Sequence, residues 1–257
     1  MSGRERISGA IRAANASGTP ALVGFITAGY PSRERFREHL QAVASGVDVL
    51  EIGVPFTDPM ADGVTIQRAS RAALAQGVSL RWILAELAEL QLRVPVILMS
   101  YLNPLLAMGL QMLCRTAADA DVAGFIVPDL PVDESDEFRA ALDPHGLALI
   151  QMVTPVTSAA RLARLCAASQ GFIYAVTMTG TTGRNVAVPE AVLEYLDRVR
   201  AQASIPVCAG FGIRSREQVA RLADHVDGVI VGSALVEVLE RNADPAAWLA
   251  TLRAAAR

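Results

Sequence analysis

The sequence predicts a (β/α)₈ barrel, and three observations carry that prediction. Eight short apolar segments recur along the chain, and amphipathic helical stretches fill the gaps between them. Each apolar segment is continuous rather than alternating, the pattern of parallel strands covered on both faces. Eight such units fit the 257 residues available. A doubly wound open sheet is the rival. It carries a Gly-x-Gly-x-x-Gly turn after its first strand, which Thr27-Ala28-Gly29-Tyr30-Pro31 does not supply.

The elements follow in order. Residues 1–17 read as an extra charged, amphipathic helix ahead of the first strand, placed to plug the barrel bottom. Strands are expected at residues 21–27, 47–53, 95–101, 122–128, 147–153, 171–177, 205–210 and 227–231. Helical patterns occupy residues 33–44, 79–90, 105–118, 134–142, 158–168, 189–201 and 215–223, with a closing helix at 246–256. Hydroxyls stand at expected N-caps in Ser32, Ser158 and Ser215, and Pro189 sits where a first helical turn tolerates it. No composition shift marks a linker, so residues 1–257 are expected to form one barrel domain.

Composition narrows the function classes. The chain is 52% apolar and 19% charged with a net charge of −3, which gives no basic footprint for nucleic acid. No apolar run reaches the roughly 18 residues a membrane span needs. The N-terminal stretch lacks the apolar core of a signal peptide. Cys114, Cys166 and Cys208 are far apart and odd in number, as expected for buried thiols in a reducing, cytoplasmic compartment. All 23 Lys-plus-Arg positions are Arg. A chain without lysine cannot form a lysine Schiff base with a sugar, nor hold pyridoxal phosphate as an internal aldimine. His39, His145 and His225 have no ligand partner four residues on and read as exposed or turn histidines, so no metal site is expected.

In such a barrel the chemistry sits just after the strands. The second strand ends in Leu50-Glu51-Ile52-Gly53-Val54-Pro55-Phe56-Thr57-Asp58-Pro59-Met60-Ala61-Asp62-Gly63. A carboxylate among Val, Leu and Ile costs several kcal/mol unless it is paired, hydrogen-bonded or protonated. Glu51 is therefore either a buried ion pair or a working acid/base, and alternation places it on the strand face of Val47 and Val49. Asp62 is either a second catalytic carboxylate or a helix cap. Asp58 reads as a turn residue or a partner contact. Three glycine loops follow strands six, seven and eight: Thr179-Gly180-Thr181-Thr182-Gly183, Gly210-Phe211-Gly212-Ile213 and Gly232-Ser233-Ala234. Glycines admit a phosphate close to backbone N–H groups, and a following helix adds a favourable dipole. The long Gly/Thr stretch 178–188 reads as a lid.

On these motifs, with Thr65-Ile66-Gln67, Asp129-Leu130-Pro131 and Gly171-Phe172-Ile173-Tyr174, the chain resembles the α subunit of tryptophan synthase along nearly its whole length. The resemblance implies a cofactor-free retro-aldol cleavage of indole-3-glycerol phosphate to indole and glyceraldehyde 3-phosphate. It places the family's general acid/base on Glu51 and the carboxylate that meets the indole N–H on Asp62. It puts the substrate pocket on Phe25 and Tyr174, and a lid threonine on Thr182. The phosphate site falls on Gly183, Gly212, Gly232 and Ser233, with Phe211 beside it. It also implies a partner, the pyridoxal-phosphate β subunit, in an α₂β₂ assembly. Docking loops would be Pro55-Phe56-Thr57-Asp58-Pro59, Asn103-Pro104-Leu105-Leu106 and Leu130-Pro131. Tyr30 and Met178 depart from the family pattern. Three rivals stay open: a stand-alone indole-releasing lyase, a phosphosugar isomerase or epimerase on the same barrel, and a catalytically weak subunit that mainly activates its partner.

Overall fold

A computed structural model describes residues 1–177, 188–210 and 212–253. Eight parallel strands form one closed barrel in sequence order. They are β1 (Ala21–Thr27), β2 (Val49–Gly53), β3 (Val96–Met99), β4 (Val122–Ile126), β5 (Ala148–Val153), β6 (Ile173–Val176), β7 (Val207–Gly210) and β8 (Gly228–Val231). All eight fall inside the predicted segments. Closure leaves no open sheet edge.

Among the described residues twelve α-helices surround or cap the barrel. They are α1 (Gly3–Ala16), α2 (Phe36–Ala44), α3 (Val64–Ala75), α4 (Leu80–Ala88), α5 (Leu102–Met108), α6 (Leu110–Asp119), α7 (Asp136–Leu142), α8 (Ala159–Ala168), α9 (Glu190–Gln202), α10 (Arg216–Leu222), α11 (Ser233–Glu240) and α12 (Pro245–Leu252). No described helix is long and apolar enough to cross a membrane.

The core has two layers. An outer one lies between strands and helices and includes Leu22, Ile52, Phe125, Leu165 and Leu235. An inner one fills the barrel with Val23, Val49, Ile97, Ile126, Ile150, Tyr174, Cys208 and Ile230. Helix α1 completes the inner layer from below by inserting Ile7, Ile11 and Ala14. Burying one such isoleucine stabilises by about 1.5–3 kcal/mol. Gly3 makes the approach possible, since a Cβ there would stand 2.0 Å from the Ala123 carbonyl oxygen. The Gly3 N–H donates to the Gly146 carbonyl at 2.7 Å, and Arg4 pairs with Asp143 at 3.0 Å. The predicted bottom plug is thus present. Cys208 is buried in the inner layer, Cys114 and Cys166 in the outer one, all three as free thiols.

Several expectations are corrected. Val47 packs in the outer layer, not on the face of Glu51. The strand starts at Val49, after Asp48, whose carboxylate accepts the Leu22 N–H at 2.7 Å. The single helix expected at 105–118 divides at Gly109, whose φ of 82° takes the chain out of helical conformation. Asn103, Pro104, Leu105 and Leu106 therefore lie within the short helix α5 rather than in a loop. Ser32 does not cap α2: its hydroxyl accepts the Arg35 N–H in a preceding turn, and Arg35 occupies the cap. Ser158 and Ser215 do cap their helices, and Pro189 sits at the cap of α9, one position before its first turn. His39 is buried in the outer face of the fold, where desolvation lowers its pKa, instead of being exposed.

Candidate active site

The strand register builds the site. On the inward face Phe25 stands beside Glu51, and Thr27 beside Gly53 one layer higher. At their upper end lies a small open pocket lined by Phe25, Thr27, Gly53, Asp62, Ser100 and Tyr101 with apolar neighbours Val54, Ile66 and Met99. It opens at the C-terminal ends of β1, β2 and β3, where loop length and sequence are freest to serve chemistry. Gly53 makes room for an aromatic wall, because a Cβ there would come within 2.5 Å of the Phe25 ring.

Glu51 is fully buried at the level just below this cavity and does not line it. Neither carboxyl oxygen has a hydrogen-bond partner among the described residues. Desolvation, reinforced by the nearby Asp62 charge, raises its pKa to about 8. At neutral pH this group is a protonated acid. None of the described arginines pairs with it.

Asp62 lines the cavity and is half-buried. Desolvation lifts its pKa to about 6, against the lowering effect of a hydrogen bond from the Tyr101 hydroxyl. Gly63, not Asp62, holds the N-cap of α3. The carboxylate is therefore aimed at the cavity instead of at a helix end. Tyr101 is a site residue that the sequence does not single out. Its hydroxyl accepts the Ala61 N–H at 2.8 Å close to the Asp62 carboxylate, and its ring stacks on Phe56 at 5.1 Å. Its only signal in the sequence is its place as the last residue of the third apolar run.

Tyr174 is buried inside the barrel, against Gly210, where a Cβ would come within 2.6 Å of its hydroxyl. The Glu51 charge contributes to raising its pKa, after desolvation. Gly212 has φ +85°, a conformation open to glycine at low cost. Gly232 caps α11, and Ser233 begins it. A Cβ on Gly232 would lie 3.5 Å from Phe25, so the α11 N-terminus borders the wall of the cavity. The first N–H groups of that helix have no intrahelical acceptor and point toward any anion placed there. Thr182, Gly183 and Phe211 lie outside the described residues, as does most of the lid stretch. Asp58 is exposed and accepts a hydrogen bond from the Thr57 hydroxyl. Among the described residues no cluster of metal-ligating side chains occurs.

Comparison with known proteins agrees with this geometry. Residues 11–256 match the family model described as tryptophan synthase alpha chain. The chain is 44% identical over 247 residues to the tryptophan synthase alpha chain of Nitratidesulfovibrio vulgaris, covering 95% of this chain and 96% of that one. It is 45% identical over 246 residues to that of Solidesulfovibrio magneticus, again covering 95% and 96%. Among solved structures, tryptophan synthase from Mycobacterium tuberculosis superposes with a TM-score of 0.89 at 39% identity, covering 96% of both chains. The alpha subunit from Legionella pneumophila gives 0.86 at 34%, covering 98% of this chain and 97% of that one. A carboxyl-bearing cavity atop a plugged eight-stranded barrel, with these relatives along nearly the full length, places this chain in the tryptophan synthase alpha chain family.

Proposed function

We propose that Glu51 and Asp62 carry the family's lyase reaction, the retro-aldol cleavage of indole-3-glycerol phosphate. The observation that carries this reading is the unpaired, fully buried carboxyl of Glu51, protonated near neutral pH, one level below a cavity that Asp62 lines. Breaking the carbon–carbon bond requires an electron sink. Protonation of indole C3 makes one, because the ring becomes an indolenine cation. The bond electrons then return to the ring, the hydroxyl proton of the glycerol chain leaves to a base, and an aldehyde and indole result. Glu51 supplies an acid of suitable strength, and this reading requires its side chain to turn from its buried position toward the pocket. Asp62, ionised and held by Tyr101, stabilises positive charge at the ring nitrogen. Phe25 gives the indole an apolar wall, with Tyr174 in the layer beneath. Gly212, Gly232 and Ser233 hold the phosphate through backbone N–H groups; Thr182, Gly183 and Phe211, which the resemblance adds to this site, lie outside the described residues.

The reaction proposed needs no cofactor on this chain. Converting indole and serine to tryptophan requires pyridoxal phosphate, which a chain without lysine cannot hold as an aldimine. That step belongs to a β subunit, and an α₂β₂ complex is the assembly we infer. Met60 and Leu106, exposed large apolar side chains near the catalytic end, support a covered surface there. The three buried thiols suit a reducing, cytoplasmic setting. One experiment decides between this reading and its rivals. The pure chain is incubated with indole-3-glycerol phosphate, alone and with the β subunit, and indole is followed. Release that accelerates in the complex is expected. Absence of indole in both arms overturns the reading, and full speed without a partner makes the chain a stand-alone lyase.

A further inference from the structure

The two described halves of the phosphate cradle come from different loops. Gly212 follows β7, while Gly232 and Ser233 follow β8. The strands fix these loops at their roots but not at their tips. A side-chain pair joins the β7 loop to α11, the helix that Gly232 and Ser233 open. Arg214, two residues after Gly212, donates from both terminal nitrogens to Glu237 at 2.8 and 2.9 Å. Glu237 lies on α11 one turn after Ser233, so it shares that residue's face of the helix. Arg214 is held from its other side as well, since its backbone N–H donates to the Gln218 side chain at 2.7 Å. The intervening Ile213 is buried.

This pair differs from the other ion pair on the same helix, Arg68–Glu240. A two-pronged arginine–carboxylate contact fixes direction as well as distance. Its side chains are 30% and 24% exposed, against 56% and 36% for Arg68 and Glu240, which join α3 to the last turn of the same helix. Exposed single-contact pairs of the second kind contribute little. The geometry points to Arg214 and Glu237 as positioning residues that set the spacing between the Gly212 and Gly232–Ser233 halves of the phosphate cradle. The inference rests on the phosphate placement proposed above. With the pair broken, the helix N-terminus and the Gly212 loop drift apart, and N–H donors that must converge on one phosphate no longer do so. Binding of the phosphate end suffers, and the carboxyl chemistry on β2 does not.

The test uses the full chain and inorganic phosphate as a competitive inhibitor of indole release. In Arg214→Met and Glu237→Gln, the phosphate Ki and the substrate KM should both rise about tenfold, with kcat changed less than about threefold. Arg214→Lys, which keeps the charge but loses the fork, should fall between. The swapped pair Arg214→Glu with Glu237→Arg should recover part of the loss, and Arg68→Met should behave as wild type. Thermal melting without phosphate is recorded for each variant. A merely structural pair would lower the melting temperature and leave Ki unchanged, and that result overturns the inference. So does an equal effect from Arg68→Met. Glu237→Gln preserves shape and keeps the test decisive if Arg214→Met misfolds. If phosphate fails to compete in the wild type, the cradle placement itself is wrong. If it competes there and equally in the variants, only the positioning role is refuted.

Discussion

Replacing Glu51 by glutamine separates catalysis from stability in one protein. The carboxyl is wholly buried, both oxygens are unpaired among the described residues, and its pKa stands near 8 against a reference of 4.5. The folded state thus keeps a proton that the unfolded chain releases. The contribution of this group to stability is full below pH 4.5 and is lost as pH rises through the window to about 8, after which it is level. Ionising the buried group costs on the order of 5 kcal/mol across that window. The amide of the Glu51→Gln variant cannot ionise. Near pH 5 it replaces one neutral, unpaired polar group by another, so the two proteins should be about equally stable. At pH 9 the variant should be the more stable by several kcal/mol, approaching that figure. Turnover should move the opposite way, with a loss of about 10²–10⁴-fold for a missing general acid. Urea unfolding at a series of pH values, with indole release at neutral pH, reads both. A parallel pH dependence of stability in the two proteins would show that the Glu51 pKa is not raised in the folded state. Retention of more than a tenth of wild-type turnover would remove it from the chemistry.

Wild-type turnover should give a bell-shaped pH profile with limbs near 6 and 8, the first set by an ionised Asp62 and the second by a protonated Glu51. Asp62→Asn should abolish the acidic limb and lower kcat while leaving substrate binding, measured by equilibrium titration; an unchanged kcat would reduce Asp62 to a bystander. Gly232→Val should raise KM strongly by crowding the phosphate against the Phe25 wall, and a phosphate seen bound far from Gly212 and Ser233 would refute the placement. Gly53→Ala puts a methyl within 2.5 Å of the Phe25 ring. The ring must swing aside, so KM should rise with little change in the far-ultraviolet spectrum, and an unaltered KM would show that Phe25 does not form the indole wall.

The strands are legible because burial on both faces writes itself as continuous apolar runs. The helices are less so. The stretch after Gly63 shows a helical pattern without clear limits. Residues Ser233–Glu240 read only as the end of a glycine loop, since the helix spans eight residues and its polar face is limited to Ser233, Glu237 and Glu240. Gly109 breaks a helix whose apolar spacing continues across it. Glu51 stands out because an acid in an apolar strand is costly. Tyr101 does not, because a tyrosine beside Ser100 reads as core until the register brings its hydroxyl to Ala61 and Asp62. Val47 is misplaced by alternation because the period-2 rule holds only within the strand, and the strand starts two residues later.

The placement of the cysteines gives this protein its own reporters. With no lysine in the chain, amine reagents have only the terminal amine to attack. With every thiol buried, maleimides and disulfide probes find nothing to label until the fold opens. Cys114 on α6 and Cys166 on α8 answer for the jacket, while Cys208 on β7 answers for the interior of the barrel. Labelling rates at the three sites therefore timestamp which shell loosens first, in a molecule that needs no engineered probe.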